Sequence, residues 1–244
     1  MKSTFLECLA DFQALLFPPV CLHCGGQVQD GASLRSLCRP CSLDLYRVRP
    51  PSCTCCGHPF YGPDEREFYC EHCVGLKPVF GEGRTLVLFK GPARTLMHAL
   101  KYHQGLYVLR DIASVAAENQ ALAQWAKGGI LVPVPMHPRK RRERGYNQTE
   151  LLAEEFLRAG VGLRLENLLI RAADGKSQTA FDRMARLGNL KNAFAPLPGA
   201  SITPDHRYIL LDDVFTTGST LNRCAQVLLR AGASRVDVLT FGHG

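Results

Sequence analysis

The chain has 244 residues, a net charge of +7 and 46% hydrophobic residues, as expected of one full-sized globular domain with a small accessory domain. No apolar run reaches the roughly 18 residues of a membrane-spanning helix, which argues against an integral membrane protein. The charge is uneven, because residues 1–80 hold 7 Lys and Arg against 8 Asp and Glu, and the remainder holds 22 against 14. The basic C-terminal part suits a polyanion, either a pyrophosphate group or a nucleic acid.

Residues 1–18 are predicted to form an N-terminal helix. Their apolar residues recur at helical spacing, at Phe5, Leu9, Phe12 and Leu16. Glu7 and Asp11 interrupt the apolar sequence, and no small-residue cleavage site follows. We therefore expect a helix that docks on the rest of the protein, not an export signal.

Ten of the eleven cysteines lie before residue 74, and eight of them form a repeat displaced by 32 residues. Each half reads C-x2-C-x13-C-x2-C, with a glycine (Gly25 or Gly57) after the second cysteine, as in a knuckle that turns its backbone toward a metal ion. Four thiolates are a typical ligand set of a closed, structural zinc site. The sequence therefore predicts two zinc sites, with the ligands Cys21, Cys24, Cys38 and Cys41 in one half and Cys53, Cys56, Cys70 and Cys73 in the other.

Two alternatives to these zinc sites stay open. A disulfide framework is one, although paired C-x2-C units without an export signal suit the reducing cytoplasm better and favour a cytoplasmic protein. Interleaved ligation, in which the first and third cysteine pairs share one ion, is the other. Segments this short and polar bury little apolar area, so we expect metal binding to supply the folding free energy of a double zinc ribbon at residues 19–80.

Residues 81–244 alternate between strand-like and helix-like segments. This alternation predicts an α/β domain with a mainly parallel sheet flanked by helices. The predicted strands are 85–89, 130–134, 168–170, 208–212 and 235–241. The predicted helices are 92–103, 106–120, 146–159, 179–191 and 218–231.

Two segments of this domain have cations in positions that suit a phosphorylated ligand. In LKYHQG (100–105), Lys101 follows the apolar face of a predicted helix, and we expect it to contact a phosphate. The segment VPVPMHPRKRRERGYNQ (132–148) leaves a strand through three prolines and then sets five basic residues against one acid. Backbone amides after the strand, together with planar guanidinium groups, would bind a pyrophosphate well. The alternative for this basic loop is a solvated or nucleic-acid-binding surface.

Residues 169–194 are poor in large apolar residues and rich in cations, which is typical of a mobile lid. A closed lid would exclude water and strengthen the electrostatic interactions inside a site. An ordinary surface helix is the alternative. The polar residues assigned to the lid are Arg171, Lys176, Gln178, Arg183 and Arg186.

The most informative segment is YILLDDVFTTGSTL (208–221), in which an apolar strand runs into two carboxylates and then a hydroxyl-rich turn that begins a helix. Backbone N–H groups at a helix start, with hydroxyl donors around Gly218, favour a phosphate. Carboxylates repel phosphate, but Asp212 and Asp213 at the end of a strand can accept hydrogen bonds from the vicinal hydroxyls of a ribose. A simple helix cap would explain one Asp and one Thr but not all six polar residues. The segment therefore predicts a ribose 5-phosphate site.

This segment resembles the 5-phosphoribosyl-1-pyrophosphate (PRPP) signature of the type I phosphoribosyltransferases. With the cysteine knuckles, LKYHQG, RGYNQ and KSQTAFDRMARLGNLKNAF in this order, the chain from about residue 15 to residue 241 is similar to the ComF/GntX family. The resemblance implies a double zinc ribbon joined to a type I phosphoribosyltransferase-like domain at residues 81–244. It also implies a link to natural competence and the use of imported DNA, and binding of PRPP with Mg²⁺.

The resemblance implies a role for each matching position. The twin acids would bind the ribose, residues 215–220 the 5-phosphate and residues 134–139 the pyrophosphate. The residues that would bind PRPP are Asp212, Asp213, Phe215, Thr216, Thr217, Gly218, Ser219, Thr220, Val134, Pro135, Met136, His137, Arg139 and Lys101. Those that would take part in catalysis are Asp212, Asp213 and Arg139.

Two functions of different classes stay open. The first is the transfer of a phosphoribosyl group from PRPP to an unidentified nitrogen nucleophile, although no residue is evident that would read a purine or pyrimidine. The second is a non-catalytic accessory protein that senses PRPP or handles single-stranded DNA. In this second case the zinc ribbons and the basic loop would contact the DNA or a DNA-translocation protein.

Overall fold

The computed structural model describes residues 19–60, 69–102, 104–171 and 194–244. The helices predicted at 1–18 and 179–191 lie outside the described residues. So do four of the predicted lid residues, Lys176, Gln178, Arg183 and Arg186.

The described part of the chain contains both helices and strands. The helices are α1 (Arg39–Leu43), α2 (Glu71–Leu76), α3 (Gly91–Tyr102), α4 (Val108–Ala117), α5 (Gln120–Ala126), α6 (Pro138–Arg144), α7 (Gln148–Arg158) and α8 (Ser219–Arg230). The strands are β1 (Gly83–Leu88), β2 (Ile130–Pro133), β3 (Arg164–Leu165), β4 (Leu169–Arg171), β5 (Phe194–Pro196), β6 (Arg207–Phe215) and β7 (Arg235–His243). No helix in this part of the chain has the length and apolar character that crossing a membrane requires.

Five strands form one sheet in the order β1-β7-β6-β2-β3, and each neighbouring pair is parallel. β4 and β5 form a separate antiparallel pair. The predicted fold class, a mainly parallel sheet flanked by helices after an N-terminal pair of cysteine clusters, is confirmed. Because β1, β2, β6 and β7 run in one direction, their carboxyl ends lie at one edge of the sheet, where ligands bind in open α/β folds.

The side chains of β6 alternate between two cores, one on each face of the sheet. Ile209 and Leu211 belong to a core that contains residues of α3, α4 and α7. Tyr208 and Leu210 belong to a second core, which contains residues of α8. This alternation follows from the period of two in a strand and explains why the run 208–211 is apolar throughout.

The two cysteine-rich halves join different cores. Leu34 and Leu37 of the first half are fully buried in the core of α3, α4 and α7. Cys53, Cys56 and Cys73 of the second half are buried in the core of α8. The two halves of the double ribbon therefore pack on opposite faces of the sheet, whose edge strand on this side is β1.

The chain between the two halves covers that edge. The Val48 N–H donates to the Leu86 carbonyl (2.8 Å), and the Leu88 N–H donates to the Tyr46 carbonyl (2.9 Å). Further along, the Gly83 N–H donates to the Thr54 carbonyl (2.8 Å). These bonds satisfy backbone groups that an exposed edge strand would leave without partners.

The strands β3 and β5 were not predicted, and three further differences from the sequence prediction concern β6, the helix expected at 106–120 and the basic loop. β6 continues past residue 212 to Phe215, because β7 remains paired with it as far as His243. The helix predicted at 106–120 ends at Ala117, and a separate helix α5 follows, with the Asn119 side chain accepting from the Leu122 N–H (2.9 Å).

The third difference is that part of the predicted basic loop is helical. Pro138 occupies the first turn of α6, and the His137 ring accepts a hydrogen bond from the Arg139 N–H (3.2 Å). No residue of α6 is buried, so the sequence has no apolar period there to indicate a helix. The basic segment is therefore a short exposed helix, and only residues 134–137 before it form a loop.

Candidate zinc sites and phosphate site

The eight predicted zinc ligands form two groups, one in each half of the repeat. The first cluster is Cys21, Cys24, Cys38 and Cys41, and the second cluster is Cys53, Cys56, Cys70 and Cys73. Within each cluster the four Sγ atoms lie within 4.8 Å of one another. The structure thus groups the cysteines in sequence order and does not interleave them.

The spacing of the sulfur atoms suits a shared metal ion. The Sγ atoms of Cys24 and Cys38 are 3.6 Å apart, and those of Cys56 and Cys70 are 3.5 Å apart. A tetrahedral zinc ion holds its thiolates about 3.8 Å apart, whereas a disulfide requires about 2.05 Å. Each cluster therefore fits one structural zinc ion with all four positions filled by the protein.

The two knuckles have the same backbone geometry. Gly25 and Gly57 have φ of 73° and 76°, and their N–H groups donate to the carbonyls of Cys21 (2.9 Å) and Cys53 (2.8 Å). Glycine adopts this left-handed conformation at little cost, which agrees with the prediction from the repeat.

The twin acids Asp212 and Asp213 lie near the end of β6, beside the end of β2. The Val134 N–H donates to the Leu211 carbonyl (2.9 Å), so the loop of residues 134–137 begins next to Asp212. The predicted pyrophosphate loop and the predicted ribose site are thus neighbours at the carboxyl edge of the sheet.

Asp213 is buried and has two side-chain partners. Its Oδ2 atom accepts from Lys101 Nζ (2.7 Å) and from Gln148 Nε2 (2.9 Å). The Arg144 guanidinium in turn donates to the Gln148 carbonyl oxygen. Lys101, which we predicted to contact phosphate, therefore contacts the acid in this structure.

Asp212 has a different environment from Asp213. Desolvation and then the neighbouring Asp213 carboxylate raise the pKa of Asp212 to about 8, against the opposing effects of the Asp213 N–H and of Lys101 and Arg171. Arg171, which was predicted to belong to the lid, is thus one of the two cations that favour the ionised form of Asp212.

The segment RGYNQ, together with the threonine that follows, fixes the surroundings of the acids. The Tyr146 hydroxyl donates to the Leu100 carbonyl in α3. The Asn147 amide (3.2 Å) and the Thr149 hydroxyl (2.7 Å) both donate to the Val134 carbonyl at the start of the loop. Our site prediction omitted Gln148, although its place in RGYNQ was a usable signal.

The phosphate loop, residues 215–220, connects β6 to α8. Gly218 has a φ of 69° and occupies the N-cap position, and Phe215 and Leu76 cover the face where a Cβ would lie. The Thr217 hydroxyl donates to the Ser219 hydroxyl (3.0 Å), and both residues are exposed. The loop and Asp212 line a small hollow of about 30 Å³. Helix N–H groups and hydroxyls around a hollow form a suitable place for a phosphate.

Arg139 does not contact the twin acids in the described part of the chain. It lies on the exposed helix α6, and its guanidinium pairs with Glu143 (2.9 Å). The neighbouring Arg141 forms two hydrogen bonds with the Glu150 carboxylate (3.1 and 3.0 Å). Lys101 contacts Asp213, and Lys101 and Arg171 both oppose the rise in the pKa of Asp212.

Known proteins show similarity to both parts of the chain. Residues 12–74 match the family model of the double zinc ribbon domain. Competence protein F of Haemophilus influenzae is 27% identical over 225 residues, which cover 89% of this chain and 94% of that protein. DNA utilization protein YhgH of Salmonella typhimurium is 28% identical over 232 residues, which cover 92% and 96%.

A hypoxanthine phosphoribosyltransferase from Staphylococcus aureus is among the similar solved structures. It matches 54% of this chain and 61% of its own, with 13% identity and a TM-score of 0.34, which is too distant to bear on activity. The similarity to the two sequence relatives spans nearly the full length of all three chains and agrees with the resemblance predicted from the motifs. The chain is thus similar over nearly its full length to competence protein F and DNA utilization protein YhgH, and its N-terminal part matches a double zinc ribbon domain that precedes an α/β domain.

Proposed function

We propose that the protein binds PRPP with Mg²⁺ at the carboxyl edge of its sheet and serves the use of imported DNA. The strongest support is that the twin acids and two loops lie next to one another at the carboxyl ends of the strands. The twin acids lie near the end of β6, the phosphate loop leads from the end of this strand into α8, and the Val134 N–H at the start of the other loop donates to the Leu211 carbonyl. A phosphorylated pentose with a pyrophosphate at the other end has matching groups in the same order.

The groups at this edge differ in what they can bind. The first turn of α8 and the hydroxyls of Thr217 and Ser219 would donate to the 5-phosphate. Asp212 and Asp213 would accept from the ribose hydroxyls, and the amides of residues 134–139 would donate to the pyrophosphate. Carboxylate oxygens are also the ligands that Mg²⁺ prefers, so either acid could complete an ion held mainly by PRPP oxygens and water.

The contact between Lys101 and Asp213 suggests how the site responds to the ligand. A ribose hydroxyl that donates to Asp213 would compete with the Lys101 ammonium for the same carboxylate. The displaced ammonium would then face the anionic ligand, which restores the contact with phosphate that the sequence predicted. Bound Mg²⁺ would supply positive charge on the pyrophosphate.

The names of the relatives point to the biological setting. Competence protein F and DNA utilization protein YhgH indicate roles in DNA uptake and use, and we extend that setting to this chain. Within it, catalysis would break the bond between the anomeric carbon and the pyrophosphate oxygen and form a bond to a nitrogen nucleophile. Lys101, Arg171 and Arg139 would stabilise the leaving pyrophosphate as its negative charge grows.

The first test is calorimetric titration of the full chain with PRPP and Mg²⁺. At pH 9, where Asp212 is mostly ionised, we expect saturable binding that Asp212→Asn and Asp213→Asn each weaken by about tenfold or more, since each removes a charged acceptor worth about 1.5–3 kcal/mol. Asp205→Asn, at an exposed acid outside the site, is the matched control and should bind like the wild type. Absence of binding by the wild type would refute the proposal.

The raised pKa of Asp212 makes the same titration sensitive to pH. A carboxyl group with a pKa of about 8 is mostly protonated at pH 7, and a ribose hydroxyl donates best to the ionised form. Binding should therefore tighten by about fivefold between pH 7 and pH 8 as Asp212 loses its proton. Asp212→Asn should remove this dependence, and a wild-type affinity that falls over this interval would contradict the assigned role.

A second candidate function is a non-catalytic protein that senses PRPP or handles single-stranded DNA. The observation that favours it is α6, which has no buried residue and exposes the cations Arg139, Lys140, Arg141 and Arg142. Pyrophosphate release with candidate acceptor bases would support the enzyme. Binding without release would support the accessory role.

A separate measurement tests whether the protein binds single-stranded DNA. Binding of single-stranded DNA should weaken as salt rises, and Arg142→Gln should lower both the affinity and its salt dependence. Arg230→Gln, at an exposed cation of α8, is the matched control. If the two variants bind equally, α6 is not the contact surface.

A further inference from the structure

We propose that the second cysteine cluster holds the phosphate loop in its binding shape, with Leu76 as the positioning residue. PRPP affinity then depends on the metal of the second cluster and not on that of the first. This inference rests on the proposed function, because it concerns the affinity of the same site.

The first connection is a direct apolar contact. Helix α2 contains the ligand Cys73 and ends at Leu76, where Lys77 turns the chain with a φ of 48°. The Leu76 Cδ2 atom lies 2.6 Å from the position that a Cβ on Gly218 would occupy. The Leu76 side chain thus packs against the backbone of Gly218, the N-cap residue of α8.

The second connection is a hydrogen bond a few residues further along. The Val79 N–H donates to the Asn222 side-chain oxygen (2.8 Å) in the first turn of α8. The segment that leaves α2 is therefore attached to the helix whose N–H groups would bind the 5-phosphate.

The third connection is a series of aromatic rings. The His58 carbonyl accepts from the Cys53 N–H (2.8 Å) inside the second knuckle. The His58 ring lies edge-on to the His243 ring, with centroids 4.8 Å apart, and His243 stacks on Phe215 at 4.9 Å with an interplanar angle of 17°. Phe215 is the first residue of the phosphate loop and is almost fully buried.

These three connections start from segments that the metal would fix. α2 has six residues, which is too short to be stable as an isolated helix. Two predicted zinc ligands of the second cluster, Cys70 at the N-cap of α2 and Cys73 within the helix, would connect α2 to the ion. Metal binding is therefore coupled to the folding of the segment that presents Leu76.

The first cluster has different neighbours. His23, in its knuckle, contacts the Thr95 hydroxyl in α3 (2.9 Å), and the N–H groups of Arg35 and Ser36 donate to Asp111 in α4. These contacts lead to α3 and α4, which pack on the opposite face of the sheet from α8. The described contacts thus link the phosphate loop to the second cluster alone.

A pair of variants tests this asymmetry. Leu76→Ala should weaken PRPP binding by roughly tenfold, because the loop loses its support and a small misplacement at a site is costly. Leu34→Ala truncates a fully buried leucine of the first half and should lower the urea midpoint more, yet leave the affinity of the folded protein within about twofold. Leu76→Met, which conserves volume, should restore binding.

The second measurement uses the wild type and reads metal, not binding. Coupling between the affinities of two sites is reciprocal, so saturating PRPP with Mg²⁺ should lower the fraction of one of the two zinc ions that is released to a competing chromogenic chelator at equilibrium and leave the other unchanged. Unaltered affinity in Leu76→Ala, or zinc release that PRPP does not affect, would overturn the inference. A wild type that does not bind PRPP would instead refute the proposed function.

Discussion

The two halves of the cysteine repeat have the same ligands at the same spacing but different surroundings. In the first cluster Cys24 is exposed, whereas all four cysteines of the second cluster are buried. The first half is joined to the α/β domain through a buried carboxylate, Asp111, and the second half through the backbone of β1. A sequence repeat can therefore specify two equivalent sets of ligands while the rest of the chain gives them different surroundings.

The contacts of the two knuckle glycines show the difference at atomic scale. A Cβ on Gly25 would meet nothing within 4 Å, whereas one on Gly57 would lie 2.5 Å from the Thr85 nitrogen. The Thr85 hydroxyl also donates to the Cys56 carbonyl (2.8 Å). The second knuckle thus packs on the sheet, and the first is open to solvent at this point.

The largest expected contrast comes from removing one ligand in each half. Cys56→Ser should lower the thermal midpoint by about 10 °C or more, because it releases an ion whose ribbon is packed into the core of α8. Cys24→Ser, the equivalent position in the first half, should lower it by about half as much. Calorimetry and metal analysis of both variants would measure this, and equal losses would show that the surroundings do not matter.

The knuckle glycines give the next largest contrast. Gly25→Ala and Gly57→Ala both force a left-handed alanine, at a cost of about 1–2 kcal/mol. Gly57→Ala adds a collision with the backbone of β1, which should cost about 1–3 kcal/mol more. Urea unfolding measures the difference, and indistinguishable midpoints would mean that the second knuckle can move away from the strand.

The smallest contrast concerns the polar contacts of each half. Asp111→Asn leaves one of the two backbone N–H groups without an acceptor, at a cost of about 1–3 kcal/mol. Thr85→Val removes the hydroxyl that donates to Cys56, at a cost of about 1 kcal/mol. Asp111→Asn should speed zinc release only from the first cluster, and Thr85→Val only from the second. Zinc release that accelerates in both phases for either variant would contradict this division.

The sequence could predict the parts of this protein that depend on local pattern. The ligand sets follow from a regular spacing, and the order of strands and helices follows from apolar periodicity. The corner at 212–220 was recognisable because carboxylates, hydroxyls and a glycine stand together after an apolar strand. Each of these signals is complete within a short stretch of chain.

The features that the sequence could not predict depend on distant residues. The unequal settings of the two clusters arise from contacts such as Gly57 with Thr85 and Arg35 with Asp111. The extension of β6 to Phe215 depends on pairing with β7, since acidic residues alone disfavour a strand. Gln148 stands in the recognisable segment RGYNQ, but its contact with Asp213 is evident only in the folded chain.

The backbone bonds along the outer side of β1 have a practical consequence for dissecting the protein. A fragment that starts after the cysteines would lack the carbonyls that accept hydrogen bonds from β1. The N–H groups of Gly83 and Leu88 would then have no acceptor from that segment. Such a bare margin is a template for pairing with another molecule of the same fragment. The α/β domain produced by itself should therefore self-associate, because the ribbon segment that covers β1 in the full chain would be missing.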